Sequence, residues 1–210
     1  MFPLLLEEEP NPLHLFQIWL NLPAKSKMVD PYFSMYWKDD VPTVMFNGDS
    51  VSVTAIAGNL EGITAVSPPP DSWASNPASD IAVWHIKMDP NSTWTLPPGT
   101  AAANRVLYFF RGSSIQVAEE DIPSDTGVEL KSDQPVVVST GSQACEMMLL
   151  HGTPLDEPVA QYGPFVMNST AEVQQAIRDY QTTQFGGWPW TTNDPTHGSA
   201  KRRFAETNPL

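Results

Sequence analysis

Proline is the residue that most limits this chain. It occupies 21 of 210 positions and is spread from the N-terminus to the penultimate residue, at about twice its average share. Each proline fixes φ and removes a backbone donor, so helix interiors and central strands are interrupted wherever one falls. Short strands joined by turns are the architecture that so much proline leaves open. With 41% apolar residues such strands can still bury a sizeable core, and the length suits one domain or a domain with long appendages.

The pattern along the chain agrees. Residues 13–22 alternate, with Phe16, Ile18 and Leu20 on one parity and Pro23 closing the run, and are predicted as a strand. Residues 30–43 read as a connector with a short strand at 32–37. From residue 44 the signals become serial: strands are predicted at 51–56, 81–88, 92–96, 104–111, 114–117, 127–130, 135–139 and 144–151, with a surface loop over 67–80. Strands this short, separated by turn signals every 8–15 residues, predict an antiparallel β-sandwich or small barrel. One helix is predicted, at about 169–182. Ser169 and Glu172 form a capping box, and Val173, Ile177 and Tyr180 share one face. The segment Phe185-Gly186-Gly187-Trp188-Pro189-Trp190 is too aromatic for a free tail and is expected to dock on the barrel or on a partner.

Charge and composition exclude several functions. The formal net charge is −13, which repels phosphate backbones and anionic lipid, so no direct nucleic-acid or membrane partner is expected. Lys201, Arg202 and Arg203 read as a solvated basic tail. The longest apolar runs are four or five residues, such as 106–110, far below the ~20 needed for a spanning helix, and a cytoplasmic location is expected. The single cysteine, Cys145, rules out an intramolecular disulfide and is predicted to be a core residue. No nucleophile elbow, P-loop or dinucleotide fingerprint is present. The pairs Asp39-Asp40 and Glu119-Glu120-Asp121 are assigned to connector and turn positions as solvated faces. The four histidines, 14, 85, 151 and 197, lack the close spacing of a local metal clip. Only His85 and His151, both on predicted strands, could converge inside a barrel, and they are kept as a candidate metal pair.

Three segments carry a family resemblance. Residues 17–36, QIWLNLPAKSKMVDPYFSMY, residues 152–168, GTPLDEPVAQYGPFVMN, and residues 185–190, FGGWPW, resemble, in order and spacing, signatures of the pirin family of bicupins. The resemblance implies a cupin-type, jelly-roll-like antiparallel barrel with one C-terminal α-helix. It implies three regions: 1–43 as the remnant of an N-terminal cupin and the inter-domain connector, 44–155 as the C-terminal cupin barrel, and 156–210 as the C-terminal signature, helix and tail.

In that family the N-terminal barrel holds a metal, usually iron, through three histidines and a glutamate. Both ligand pairs fall upstream of the stretch matching Met1–Leu6, and Glu7, Glu8 and Glu9 match a variable acidic loop instead. None of the four ligands carries over onto a residue of this sequence. The C-terminal barrel's own ligand strands read Thr93-Trp94-Thr95-Leu96, with Asn104 near a glutamate position, and Val136-Val137-Val138-Ser139 without histidine. The resemblance therefore implies a metal-free cupin in this chain and iron, or another divalent metal, in a full-length relative. It implies either a structural or regulatory protein-interaction module, with nuclear localisation open in a eukaryote, or part of a quercetin 2,3-dioxygenase-like enzyme. The expected partners are another protein or an N-terminal cupin, and self-association is expected. The start of the resemblance at Met1 is read as an internal methionine of a longer pirin.

Overall fold

A computed structural model describes residues 9–10 and 12–188. The described residues fall into two compact units. One spans Leu22–Glu157, and the other is drawn from both sides of it, up to Asn21 and from Pro158 onward.

The larger unit is a two-sheet antiparallel sandwich. Its strands are β1 (Thr43–Phe46), β2 (Val51–Ala57), β3 (Asn59–Leu60), β4 (Ile63–Thr64), β5 (Ala82–Met88), β6 (Thr93–Leu96), β7 (Asn104–Arg111), β8 (Ser114–Val117), β9 (Glu120–Pro123), β10 (Thr126–Glu129), β11 (Val136–Thr140) and β12 (Cys145–Gly152). One sheet runs β1-β2-β5-β12-β7-β10, and the facing sheet runs β6-β11-β8-β9. β3 and β4 pair as a separate short hairpin. Alternate residues point inward. Trp84, Ile86 and Met88 on β5 and Leu107 and Phe109 on β7 meet Trp94, Leu96, Ile115, Val117 and Val138 of the facing sheet in one buried cluster. This is the mainly antiparallel β architecture that the turn spacing predicted.

Strands at 104–111 and 114–117 fall where the sequence places them, and most others shift by a residue or two. Three expectations are corrected. Residues 13–22 and 32–37 form no strand: alternation gives a segment two faces, but a strand also needs a hydrogen-bonded neighbour. Glu120 and Asp121 lie in β9, not in a turn. The turn is Ala118-Glu119, both with positive φ, the backbone of a two-residue hairpin built without the usual Asn-Gly or Asp-Gly. Asp40 accepts a hydrogen bond from the Trp37 backbone N–H at 3.1 Å, so this exposed acid also closes a turn.

The smaller unit contains the hairpin β13 (Ala160–Tyr162) and β14 (Phe165–Met167), followed by α1 (Thr170–Thr183). The capping box forms. Ser169 Oγ accepts from the Glu172 N–H, and the Glu172 carboxylate accepts from the Asn168 N–H at 3.1 Å. Phe185 contacts Phe165 and Tyr180 edge-on but stays largely exposed, as does Trp188. Pro189, Trp190, His197 and the Lys201–Arg203 cluster lie outside the described residues, as do Met1–Glu8.

Candidate functional site

Inward-facing side chains cross the six-stranded sheet in layers set by the ladder register. At one end Val51, Met88 and Cys145 are aligned, then Val53, Ile86, Met147 and Phe109, then Ala55, Trp84, Leu149 and Leu107. The last layer is Ala82, His151 and Arg105. The core is thus apolar through three layers and becomes polar at the fourth. There a cavity of about 290 Å³ opens, lined by Trp84, Arg105, His151 and Asp80, with Gly58 and Gly99 among its small residues.

The polar layer is buried. Arg105 is 3% exposed and His151 7%. Asp80 follows a short 3₁₀ turn in a left-handed conformation, which a short polar side chain tolerates better than a branched one. Its Oδ2 meets His151 Nε2 at 2.8 Å and accepts from the Thr100 N–H at 2.9 Å. Burial pushes the Asp80 carboxyl up, but the hydrogen bonds from His151 and Thr100 outweigh it and hold the group below its ordinary value. With Asp80 ionised, His151 Nε2 is the donor. A Cβ at Gly99 would collide with the His151 ring, so the close approach of that loop needs glycine.

Arg105 is the unusual member. Its Nη2 donates to the Pro97 carbonyl at 2.6 Å and its Nη1 to the Ser132 carbonyl at 3.4 Å. Both partners are neutral, and among the described residues Arg105 makes no ion pair. Burial lowers its pKa, partly countered by the field of Asp80, yet a guanidinium stays charged in a protein. Three shielded atoms in this layer and the one beneath have no hydrogen-bond partner among the described residues: Arg105 Nε, His151 Nδ1 and Trp84 Nε1.

His85 and His151 are not brought together. His85 pairs with Met148 and His151 with Ala82. The two histidines therefore differ by an odd number of residues along either strand and lie on opposite faces of the sheet. On the outer face, Glu146 takes His85 Nε2 at 2.8 Å and Arg111 Nη1 at 2.6 Å, with Lys87 Nζ at 3.8 Å. Lys87 and Arg111 stand beside Glu146 in the ladder, as cross-strand ion pairs do. Burial raises the Glu146 carboxyl, but the His85 hydrogen bond and the charges of Lys87 and Arg111 bring it below its usual value. Cys145 is buried, and burial pushes its thiol pKa up, which disfavours the nucleophilic thiolate.

Iron does not fit these residues. Among the described residues no group of three or more His, Cys, Asp or Glu side chains could hold a metal ion, and an iron site needs about three or four acceptor ligands. His151 and Asp80 would supply two, but the next side chain in the row is the cationic Arg105. The sequence missed Asp80, Arg105 and Trp84. The usable signal was Arg105, which shares the inward parity of Leu107 and Phe109 in an otherwise apolar run.

Residues 83–186 match the family described as the pirin C-terminal cupin domain. The Vibrio cholerae protein named "Putative quercetin 2,3-dioxygenase" is 32% identical over 173 residues, covering 82% of this chain and 59% of its own length. Human pirin is 29% identical over 183 residues, covering 84% of this chain and 58% of its own. The solved structure of a quercetin 2,3-dioxygenase from Acinetobacter baumannii superposes with a TM-score of 0.69 at 24% identity, covering 79% of this chain and 55% of that one. The chain thus spans about three fifths of the length of these curated relatives. No helix among the described residues is long and apolar enough to cross a membrane.

Proposed function

Since the chain belongs to the pirin family, through its C-terminal cupin domain, we propose that it serves as a metal-free cupin module that works by binding. Its partner is a metal-bearing cupin of the family's N-terminal type, and the pair performs a structural or regulatory task. The observation that carries this reading is the composition of the barrel mouth, where a guanidinium occupies the row that a metal would need for ligands. The fixed positive charge of Arg105 in that row disfavours a divalent cation there. Support for the partner comes from Leu13, Leu15, Ile18, Trp19 and Leu20, all of them exposed, in a density that marks interaction surfaces.

The rival reading is a share in an iron-dependent, quercetin 2,3-dioxygenase-like activity, favoured by the names of the Vibrio and Acinetobacter relatives. In that case the redox chemistry belongs to iron held by another barrel, and this chain's residues shape the assembly. One experiment addresses both. The chain is purified without chelator, alone and after mixing with the N-terminal cupin half of a pirin relative, and iron and flavonol oxidation are measured. The expected result is negligible iron in the chain alone, and co-elution of the two halves that Trp19→Ser weakens. About one equivalent of tightly held iron in the chain alone would overturn the metal-free reading. Failure of the halves to associate would overturn the partner. Flavonol oxidation confined to the mixture would favour the rival.

A further inference from the structure

We propose that the polar mouth of the barrel is a binding site for a small organic anion, with Arg105 as the group that neutralises it. This site is independent of the docking segment at residues 13–20.

The first argument is charge. Arg105 is buried, and its guanidinium donates to the neutral carbonyls of Pro97 and Ser132. The nearby carboxylate, Asp80, is already engaged by His151 and Thr100. Asp80 acts on Arg105 only through its field and not as a contacting ion pair, and a buried cation is ordinarily paired at contact. The fold tolerates this one at the edge of a cavity, where an entering anion would complete the pair.

The second argument is the direction of the missing hydrogen bonds. The unpartnered atoms are Arg105 Nε, Trp84 Nε1 and His151 Nδ1. Arginine and tryptophan nitrogens are donors only. A ligand that satisfies the arginine and tryptophan nitrogens must present acceptors, as a carboxylate does with its two oxygens, whereas His151 Nδ1, with Nε2 donating to Asp80, is an acceptor in the neutral ring and is not counted toward the anion. All three residues line the same cavity. Their free atoms are shielded from solvent, so a ligand reaches them through the side-chain adjustment that binding commonly brings.

The third argument is shape. At about 290 Å³ the cavity lies at the small end of the ~300–1,000 Å³ range of small-molecule sites. Alanines and prolines, including Ala57, Ala65 and Pro98, contribute to its walls. The remaining wall is mixed, with Asn59, Thr64 and Asn76 beside the alanines and prolines, and so suits a compact organic carboxylate that has both polar and apolar parts.

The test is calorimetric titration of the full chain with benzoate, its neutral counterpart benzamide and the cation benzylamine. Benzoate is expected to bind with a Kd of about 1 mM or tighter. Benzamide should bind at least ~10-fold more weakly, a difference of about 1.4 kcal/mol, and benzylamine should give no heat of binding. Arg105→Met should abolish benzoate binding, and Arg105→Lys, which keeps the charge but loses the planar fork, should retain part of it. If Arg105→Met does not fold, Trp84→Phe keeps an aromatic ring, though a smaller one, and removes the N–H, and should weaken benzoate by roughly tenfold, the worth of one hydrogen bond. No benzoate binding by the native chain, equal binding of all three probes, or affinity unchanged in the variants that fold would each overturn the proposal.

Discussion

Residues 82–88 and residues 13–20 are built from the same kind of sequence, and they end in opposite states. The first reads Ala-Val-Trp-His-Ile-Lys-Met and the second Leu-His-Leu-Phe-Gln-Ile-Trp-Leu, both alternating and both aromatic. The first pairs on both edges, with β2 and β12, and buries Ala82, Trp84, Ile86 and Met88. The second lies in no ladder and leaves Leu13 66% and Trp19 58% exposed. Alternation specifies which side chains share a face. It does not supply the strand that would hydrogen-bond alongside, nor the facing sheet that would cover that face.

The sharpest way to break this comparison is a matched pair of truncations. Leu149 is fully buried between Trp84 and Leu107 in the layer beneath the mouth. Leu149→Ala is expected to cost about 2–5 kcal/mol in urea unfolding, through lost transfer energy and a residual cavity. Ile18→Ala, in the exposed segment, should move stability by no more than ~0.5 kcal/mol. Comparable losses at the two sites would mean that residues 13–20 are packed in solution as tightly as the barrel core.

The same contrast explains what the sequence could disclose. The strands at 104–111 and 114–117 were legible because Gly112 separates a strongly apolar run from a short alternating one. β9 was not, because Glu120 and Asp121 look like solvent-facing charge. They stand at the edge of the four-stranded sheet, where charge protects a strand from further pairing. The prediction of a strand at 13–22 failed for lack of any local signal that reports a missing neighbour. At the mouth, His151 was seen but coupled to the wrong partner, since converging histidines need the same parity across β5 and β12 and His85 has the other. Asp80 gave no signal, because its partner His151 is 71 residues away and its role depends on a left-handed turn that no motif marks.

The mouth and the outer face of this sheet offer a second, smaller test, in acid. Asp80 and Glu146 both have folded pKa values held below those of ordinary carboxyls. A depressed carboxyl contributes stability that is present above its unfolded pKa and lost as pH falls through the folded one. Stability should therefore be level down to about pH 5 and fall progressively below about pH 4.5. Asp80→Asn is expected to cost about 1 kcal/mol near neutrality, the worth of a charge-assisted hydrogen bond discounted because the carboxyl is a third exposed. It should also flatten the acid limb measured by urea unfolding at stepped pH. An acid limb unchanged by Asp80→Asn and abolished by Glu146→Gln would assign the whole effect to the outer face.

The smallest expected effect on stability is also the one that speaks most directly to residues 13–20. Trp19→Ser removes a large apolar side chain that is more than half exposed, so unfolding should shift by less than ~0.5 kcal/mol. Association should respond much more strongly. Exposed apolar side chains crowded into eight residues gain by being covered at roughly 25 cal/mol per Å², and a second copy of the chain can supply that cover. Light scattering is expected to show dimers or larger species for the native chain and a shift toward monomer for Trp19→Ser. A native chain that stays monomeric at high concentration would mean that the segment finds its cover within the molecule, and the contrast with residues 82–88 would then be one of timing in folding rather than of final state.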